Sequence, residues 1–300
     1  MASDKLKTLI AHRWENRPDT EYPIEKIRED DATDPGRVPC PGSQYESRYA
    51  DDVYCEWVTW ENPSSESIFL YLHGGGYYRS SGPASRMAAS NLSKVCGCRC
   101  FTVDYRMAPE HLFPAAGDDT YTAFQWLLKQ NISPKQIVVG GSSAGGGLTA
   151  ALLAKLKLEG KEQPAAAILL SPWTDLTQSA ETYTSKFEND PSIWKEYLDL
   201  AADRYLGGAE PKHPLASPVF SDLEGLPPLL IQVGNDETMY GDARNYADKA
   251  SVAGVKVTFE AFEDVPHAWH NSEQHIAGIP EVWTALDQIG SFFKRHTDSK

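Results

Sequence analysis

The sequence predicts an α/β fold, a mostly parallel central sheet with helices on both faces. Three observations carry that expectation. From about residue 50 onward, short apolar runs alternate with helix-forming stretches, and strands separated by helices imply parallel pairing. Two of the runs end in small-residue turns, His73-Gly74-Gly75-Gly76 and Gly140-Gly141-Ser142-Ser143-Ala144-Gly145. The 300 residues are 41% hydrophobic and 23% charged, an ordinary globular balance that argues against disorder or a coiled coil.

Taken in order, strand-like segments lie at 53–59, 67–72 and 98–104, the second running directly into His73. A helical period follows over 121–130, then a short buried strand at 136–139 and helix formers over 148–158. Further strands are expected at 166–170, 229–233 and 255–259, with helices over 243–253 and 282–295. Two segments break the alternation, residues 1 to about 45 and about 179–214, and are candidates for elements set over the sheet. In the first, Leu6, Leu9, Ile10 and Trp14 recur at helical spacing on one face. At roughly 150 residues per domain the length allows two domains or one large α/β domain, and the chain is read as one domain over 1–300.

Charge excludes one class of partner. With 28 Lys plus Arg against 42 Asp plus Glu, the formal charge is -14, which repels a phosphate backbone, so no nucleic-acid partner is expected. No apolar run approaches the ~18 residues of a membrane span, and Met1 to Lys5 lacks the apolar core of a secretory signal. Cys96, Cys98 and Cys100 alternate as in a strand, where thiols pack as small hydrophobes. No C-x-x-C pair accompanies them, so no metal is expected and a reduced, cytoplasmic compartment fits.

Chemistry is concentrated in the two turns. Gly141-Ser142-Ser143-Ala144-Gly145 is a G-x-S-x-G between a strand and a helix. A serine presented at such a sharp turn needs small neighbours on both sides, which makes Ser143 the candidate nucleophile. A turn that merely joins strand to helix would share the five letters, but the flanking elements favour the nucleophile. Upstream, the N–H groups of Gly74 and Gly75, with that of Ala144, are candidates for an oxyanion hole. His73 is expected to orient that loop by hydrogen bonds.

An acid and then a histidine should follow the serine. The strand at 229–233 leads into Gly234-Asn235-Asp236-Glu237, and the strand at 255–259 leads to Asp264-Val265-Pro266-His267. Both turns leave strand C-terminal ends, where open α/β sheets place their sites. Asp236 and His267 are the preferred pair. Glu237 and Asp242 rival the acid, His270 and His275 the base, and His267-x-x-His270 suggests metal only weakly, since it lacks the i, i+4 glutamate-bearing helix pattern.

Several motifs together resemble the hormone-sensitive lipase-like branch of the α/β-hydrolase esterases. They are the His73-Gly74-Gly75-Gly76 turn, Asp104-Tyr105-Arg106-Met107-Ala108-Pro109-Glu110-His111, the serine turn, Ser171-Pro172-Trp173-Thr174-Asp175-Leu176 and Pro266-His267, over roughly residues 50–295. The resemblance implies carboxylic-ester hydrolysis with Ser143, His267 and Asp236, no cofactor, and a small helical cap from about 1–45 and 179–214. This chain departs from many members in having Ser142 before the nucleophile. Its acid turn reads Asp236-Glu237-Thr238 where Asp-Pro-Leu is common, resembling a sub-branch with Asp-Glu there.

Bulk around the inferred site predicts small, soluble ester substrates over long acyl chains. Tyr77 and Tyr78 follow the glycines, Trp173 follows a strand end, and Trp269 lies just past His267, and large rings shorten an apolar pocket. Lactone or aryl-amide hydrolysis would use the same residues, and a non-catalytic receptor on this scaffold is the alternative from another class. No membrane partner is expected. A homodimer is compatible with the sequence.

Overall fold

The computed structural model describes residues 2–17, 23–34, 37–271 and 278–297. Eight strands form one sheet: β1 (Ser43–Ala50), β2 (Val53–Trp60), β3 (Ile68–Leu72), β4 (Arg99–Val103), β5 (Ile137–Ser142), β6 (Ala166–Leu170), β7 (Leu229–Gly234) and β8 (Val257–Phe262). Their spatial order is β1-β2-β4-β3-β5-β6-β7-β8. Pairing is antiparallel for β1 with β2 and β2 with β4, and parallel from β4 to β8.

The inner strands read as unbroken apolar runs because both of their faces are covered. Along β3, Phe69 and Tyr71 enter one core while Ile68, Leu70 and Leu72 enter the other. Helices α1 (Asp4–Glu15), α3 (Arg86–Cys96) and α9 (Pro280–Thr297) supply Leu6, Leu9, Leu92 and Phe293 to the first core. Helices α4 (Ala115–Lys129) and α5 (Ala144–Leu158) supply Phe124, Leu127 and Leu152 to the second, and α8 (Tyr240–Val252) covers β6 and β7 through Tyr246 and Ala250. Helices α2 (Ile24–Thr33), α6 (Thr182–Ser185) and α7 (Lys195–Leu206) complete the set among the described residues.

Three expectations need correction. β1 lies where no strand is expected, because its Ser-Gln-Tyr-Glu-Ser-Arg-Tyr-Ala run is exposed at the sheet edge and carries no apolar alternation. α3 is unannounced because its sequence is polar: Ser90, Asn91 and Ser93 are nonetheless buried, and Ser90 and Ser93 hydrogen-bond to the backbone of neighbouring segments. The alternating cysteines do not share a strand. Cys96 ends α3, Cys98 lies in the turn and only Cys100 is in β4, although all three are buried and free.

Parallel strands all point one way, so the segments following β3, β5, β7 and β8 emerge together at the C-terminal edge of the sheet. Those are the segments that carry His73 to Gly75, Ser143, Glu237 and His267. α1 reaches the same edge from outside. Its N-terminus is capped by Ser3, whose Oγ accepts the Leu6 N–H at 3.2 Å. Leu6 and Leu9 are fully buried, worth about 1.5–3 kcal/mol each by apolar transfer, so α1 is part of the packed body.

Candidate active site

Ser143 stands between β5 and α5 with φ 57° and ψ -119°, a strained conformation for a residue with a side chain. Neighbouring contacts hold it there. Its N–H donates to the Leu170 carbonyl at 2.9 Å, and its own carbonyl accepts from Gly147 N–H at 3.0 Å and Trp173 N–H at 3.1 Å. Gly145 makes the turn possible, since a Cβ there would collide with the Leu72 carbonyl of the adjacent strand. Ser142 belongs to β5 and is fully buried, whereas Ser143 is partly accessible.

The glycine turn after β3 lies directly on this elbow. A Cβ on Gly74 would sit 2.8 Å from the Ser142 carbonyl oxygen and 3.3 Å from Ser143 Cβ, so only glycine allows the approach. His73 is buried with its ring stacked on Tyr105, centroids 4.0 Å apart. Its Nδ1–H donates to the Gly74 carbonyl at 2.8 Å, and Tyr105 Oη donates to the His73 carbonyl at 2.8 Å. Burial pushes its imidazole pKa down, which suits a neutral ring serving as a fixed donor. Ala144 is the first residue of α5, where N–H groups have no intrahelical acceptor.

The histidine and its acid are the point where the structure departs from expectation. His267 Nδ1–H donates to Glu237 Oε2 at 2.8 Å, and both side chains are buried. Glu237 Oε1 accepts from Ser171 Oγ at 2.6 Å and from Gly234 N–H at 2.7 Å. Three donors therefore converge on one buried carboxylate. Asp236, the expected acid, is exposed. The two residues are adjacent in the turn closed by Glu237 N–H on the Gly234 carbonyl, and that turn directs Glu237 inward and Asp236 to solvent. Ser171, which also accepts the Ala268 N–H at 3.2 Å, joins Glu237 to the segment bearing His267, a contact the sequence reading missed although its motif was in view.

The rivals have other work. Asp242 Oδ2 accepts from Thr174 N–H at 2.9 Å and Asp175 N–H at 2.8 Å, pinning that loop to α8. His270 Nε2–H donates to Gln232 Oε1 at 3.0 Å, and burial followed by the nearby His267 pushes its pKa down to about 3. His275 lies outside the described residues.

Burial, then the charge of Asp175, pushes the Asp242 carboxyl up to about 8. An unfolded aspartate releases its proton near 4, so the folded state holds the extra proton between those values. This contribution to stability is therefore present at low pH and lost as pH climbs through about 8. Asp242→Asn can still accept both N–H groups and never ionises. Thermal melts should show the variant gaining on the parent as pH rises from about 4 toward about 8, with no gain below that window. A constant difference at every pH would contradict this.

Ser143, His267, Gly74 and Gly75 line one cleft of about 410 Å³. Its outer wall comes from the N-terminal helix, through Leu9, His12 and Arg13, and from Ile193, Tyr197 and Leu198 of the segment around α7. The four aromatic residues expected at the pocket do not line this cleft. Tyr77 stacks on Tyr205 at 3.8 Å, Trp173 lies 5.7 Å from Tyr77, Tyr78 Oη donates to Tyr197 Oη at 2.6 Å, and Trp269 packs on Phe262 at 4.9 Å. All four are buried. Rings next to strand ends fill the space between layers, and residues from helices distant in sequence form the cleft wall.

A family model described as an alpha/beta hydrolase fold matches residues 69–271. An acetyl-hydrolase of Streptomyces hygroscopicus is 39% identical over 242 residues, 81% of this chain and 80% of that protein. An esterase of Acinetobacter venetianus is 35% identical over 76% of this chain and 75% of its own length. Among solved structures, an esterase of the bacterial hormone-sensitive lipase family superposes with a TM-score of 0.94 at 38% identity, covering 99% of each chain. The structure of EstE5, soaked with p-nitrophenyl butyrate, superposes at a TM-score of 0.93 with 35% identity over 99% of this chain and 100% of that one. Among the described residues, no helix is long and apolar enough to cross a membrane.

Proposed function

We propose, for a chain that belongs to the α/β-hydrolases, in their hormone-sensitive lipase-like branch of carboxylesterases, that it cleaves small, soluble esters through Ser143, His267 and Glu237. The observation that carries this reading is the 2.8 Å contact from His267 Nδ1 to Glu237 Oε2 beside the Ser143 cleft. Glu237 fixes the tautomer with Nδ1 protonated, leaving Nε2 to take the Ser143 proton as the oxygen attacks the ester carbonyl. The negative charge that develops is met by the N–H groups of Gly74, Gly75 and Ala144. As the tetrahedral intermediate collapses, His267 returns the proton to the departing alcohol. It then draws a proton from water as the oxygen attacks the acyl carbon; the bond to Ser143 Oγ breaks, the carboxylic acid leaves, and His267 returns the proton to Oγ.

The substrate reading rests on size. A cleft of about 410 Å³ lies toward the small end of the roughly 300–1,000 Å³ usual for ligand pockets. α1 and the segment from Pro191 to Leu198 act as a cap, which is supported by their share of the cleft wall. All five cysteines are free and four of them buried, in keeping with a reducing compartment such as the cytoplasm. The test is kcat/KM for p-nitrophenyl esters of increasing acyl length, each below its solubility limit. The expected profile peaks at short chains and declines gradually, because each methylene is worth only about 1–3 kcal/mol in an apolar pocket. A maximum at the longest chain, or a jump in rate on emulsified substrate, would overturn the small-ester reading.

A further inference from the structure

α1 does more than wall the cleft. Both of its ends are fastened to the short segment that carries His267. At the N-terminal end, Ala2 N–H donates to Asp264 Oδ2 at 3.0 Å, while Ser3 N–H and Oγ donate to the two oxygens of Glu281 at 2.7 and 2.8 Å. At the other end, Arg13 Nη1 donates to the His267 backbone carbonyl at 2.6 Å and to Ser192 Oγ at 2.8 Å. Arg13 is half-buried, and desolvation lowers its guanidinium pKa to about 10 against the opposing charges of Asp190 and Glu237, so it keeps its charge at neutral pH. A desolvated cation needs such partners to be tolerated.

The segment Arg13 reaches is itself tied to the acid. Asp190 Oδ1 accepts the N–H groups of Ser192 and Ile193 at 2.9 and 3.2 Å, and its Oδ2 accepts Thr238 N–H at 3.0 Å, one residue past Glu237. Arg17 adds a bond to the Asp190 carbonyl at 3.3 Å and stacks 4.2 Å over the Trp194 ring. One hydrogen-bonded chain therefore runs from α1 to the His267 carbonyl and, through Ser192 and Asp190, to the turn holding Glu237.

We infer that Arg13 is a positioning residue, holding the His267 backbone so that the imidazole stays aligned between Glu237 and Ser143 whether or not substrate fills the cleft. This rests on His267 acting as the base. The cleft wall would then report on the acid–base pair through Arg13, because displacing α1 also displaces the base. A misalignment of about 1 Å costs on the order of 10²-fold in rate, and that cost falls on kcat.

The experiment measures kcat and KM on a two-carbon and an eight-carbon p-nitrophenyl ester for Arg13→Ala, Arg13→Lys, Ser192→Ala and His267→Ala, with circular dichroism of each. Arg13→Ala is expected to lose ten- to hundredfold in kcat on both esters with KM within about twofold. Millimolar guanidinium should restore part of that loss. Arg13→Lys should keep most of the rate, because one ammonium can still donate to the His267 carbonyl, and it keeps the test open if Arg13→Ala does not fold. Ser192→Ala should fall between Arg13→Lys and Arg13→Ala. A rise in KM that depends on acyl length with kcat intact would make Arg13 a substrate contact and overturn the inference. So would full activity in Arg13→Ala, or a loss in Arg13→Lys equal to that in Arg13→Ala. Undiminished activity in His267→Ala would instead refute the assignment of the base, a separate failure.

Discussion

Ser143→Ala is expected to lose on the order of 10⁶ in kcat, the loss a serine–histidine pair suffers without its nucleophile. The fold should survive, because the hydroxyl makes no contact that holds the elbow together: the backbone bonds to Leu170, Gly147 and Trp173 do that. Ser142→Ala is the matched control. Its Oγ is buried without a hydrogen-bond partner, so removing it costs no bond and should leave stability and rate nearly unchanged. Ester turnover and circular dichroism on both variants decide it. A dead Ser142→Ala beside an active Ser143→Ala would move the nucleophile by one residue.

Glu237→Gln is expected to lower kcat by about 10⁴, by analogy with loss of the carboxylate in a serine triad. The reason is directional. Ser171 Oγ and Gly234 N–H both donate to one side of the carboxylate, so the amide of glutamine must turn its oxygen toward them. Its NH₂ group then faces His267 Nδ1 and forces the proton onto Nε2, where it cannot accept from serine. Asp236→Asn, at an exposed position, should change kcat by less than a few-fold. Rates for the two variants measured side by side separate the carboxylates. A crippled Asp236→Asn with an active Glu237→Gln would return the acid to the position the sequence favours.

Much of the site was legible because its constraints are local and steric. A serine between small residues, after a strand covered on both faces, leaves few alternatives at Ser143, and the glycines after β3 mark a close backbone approach that Gly74 makes. Position in the chain order pointed to His267, which the structure sets in the same cleft as Ser143. The sequence favours Asp236 while the structure sets its neighbour Glu237 against His267, because neither periodicity nor composition tells which side of a four-residue turn faces inward. Asp236 and Glu237 are chemically equivalent until burial distinguishes them.

The cleft wall was less readable. Tyr77, Tyr78, Trp173 and Trp269 lie near the chemistry in sequence but pack into the body. Arg13, Ile193 and Leu198 meet over the site from distant segments and carry no motif. β1 and α3 were missed for a related reason. An edge strand need not alternate, and Ser90 and Ser93 can be buried in α3 because the backbone N–H groups of Cys40 and Trp60 come to them.

The most direct test of the account is covalent. Incubation with phenylmethanesulfonyl fluoride, followed by intact mass and peptide mapping, reports which oxygen is activated. The account predicts one sulfonyl group per chain, carried on Ser143, with ester hydrolysis lost in proportion to labelling. Ser143→Ala should take up no label, and Glu237→Gln should label far more slowly than the parent. A label on any other residue, or hydrolysis that persists once Ser143 is fully modified, would contradict it.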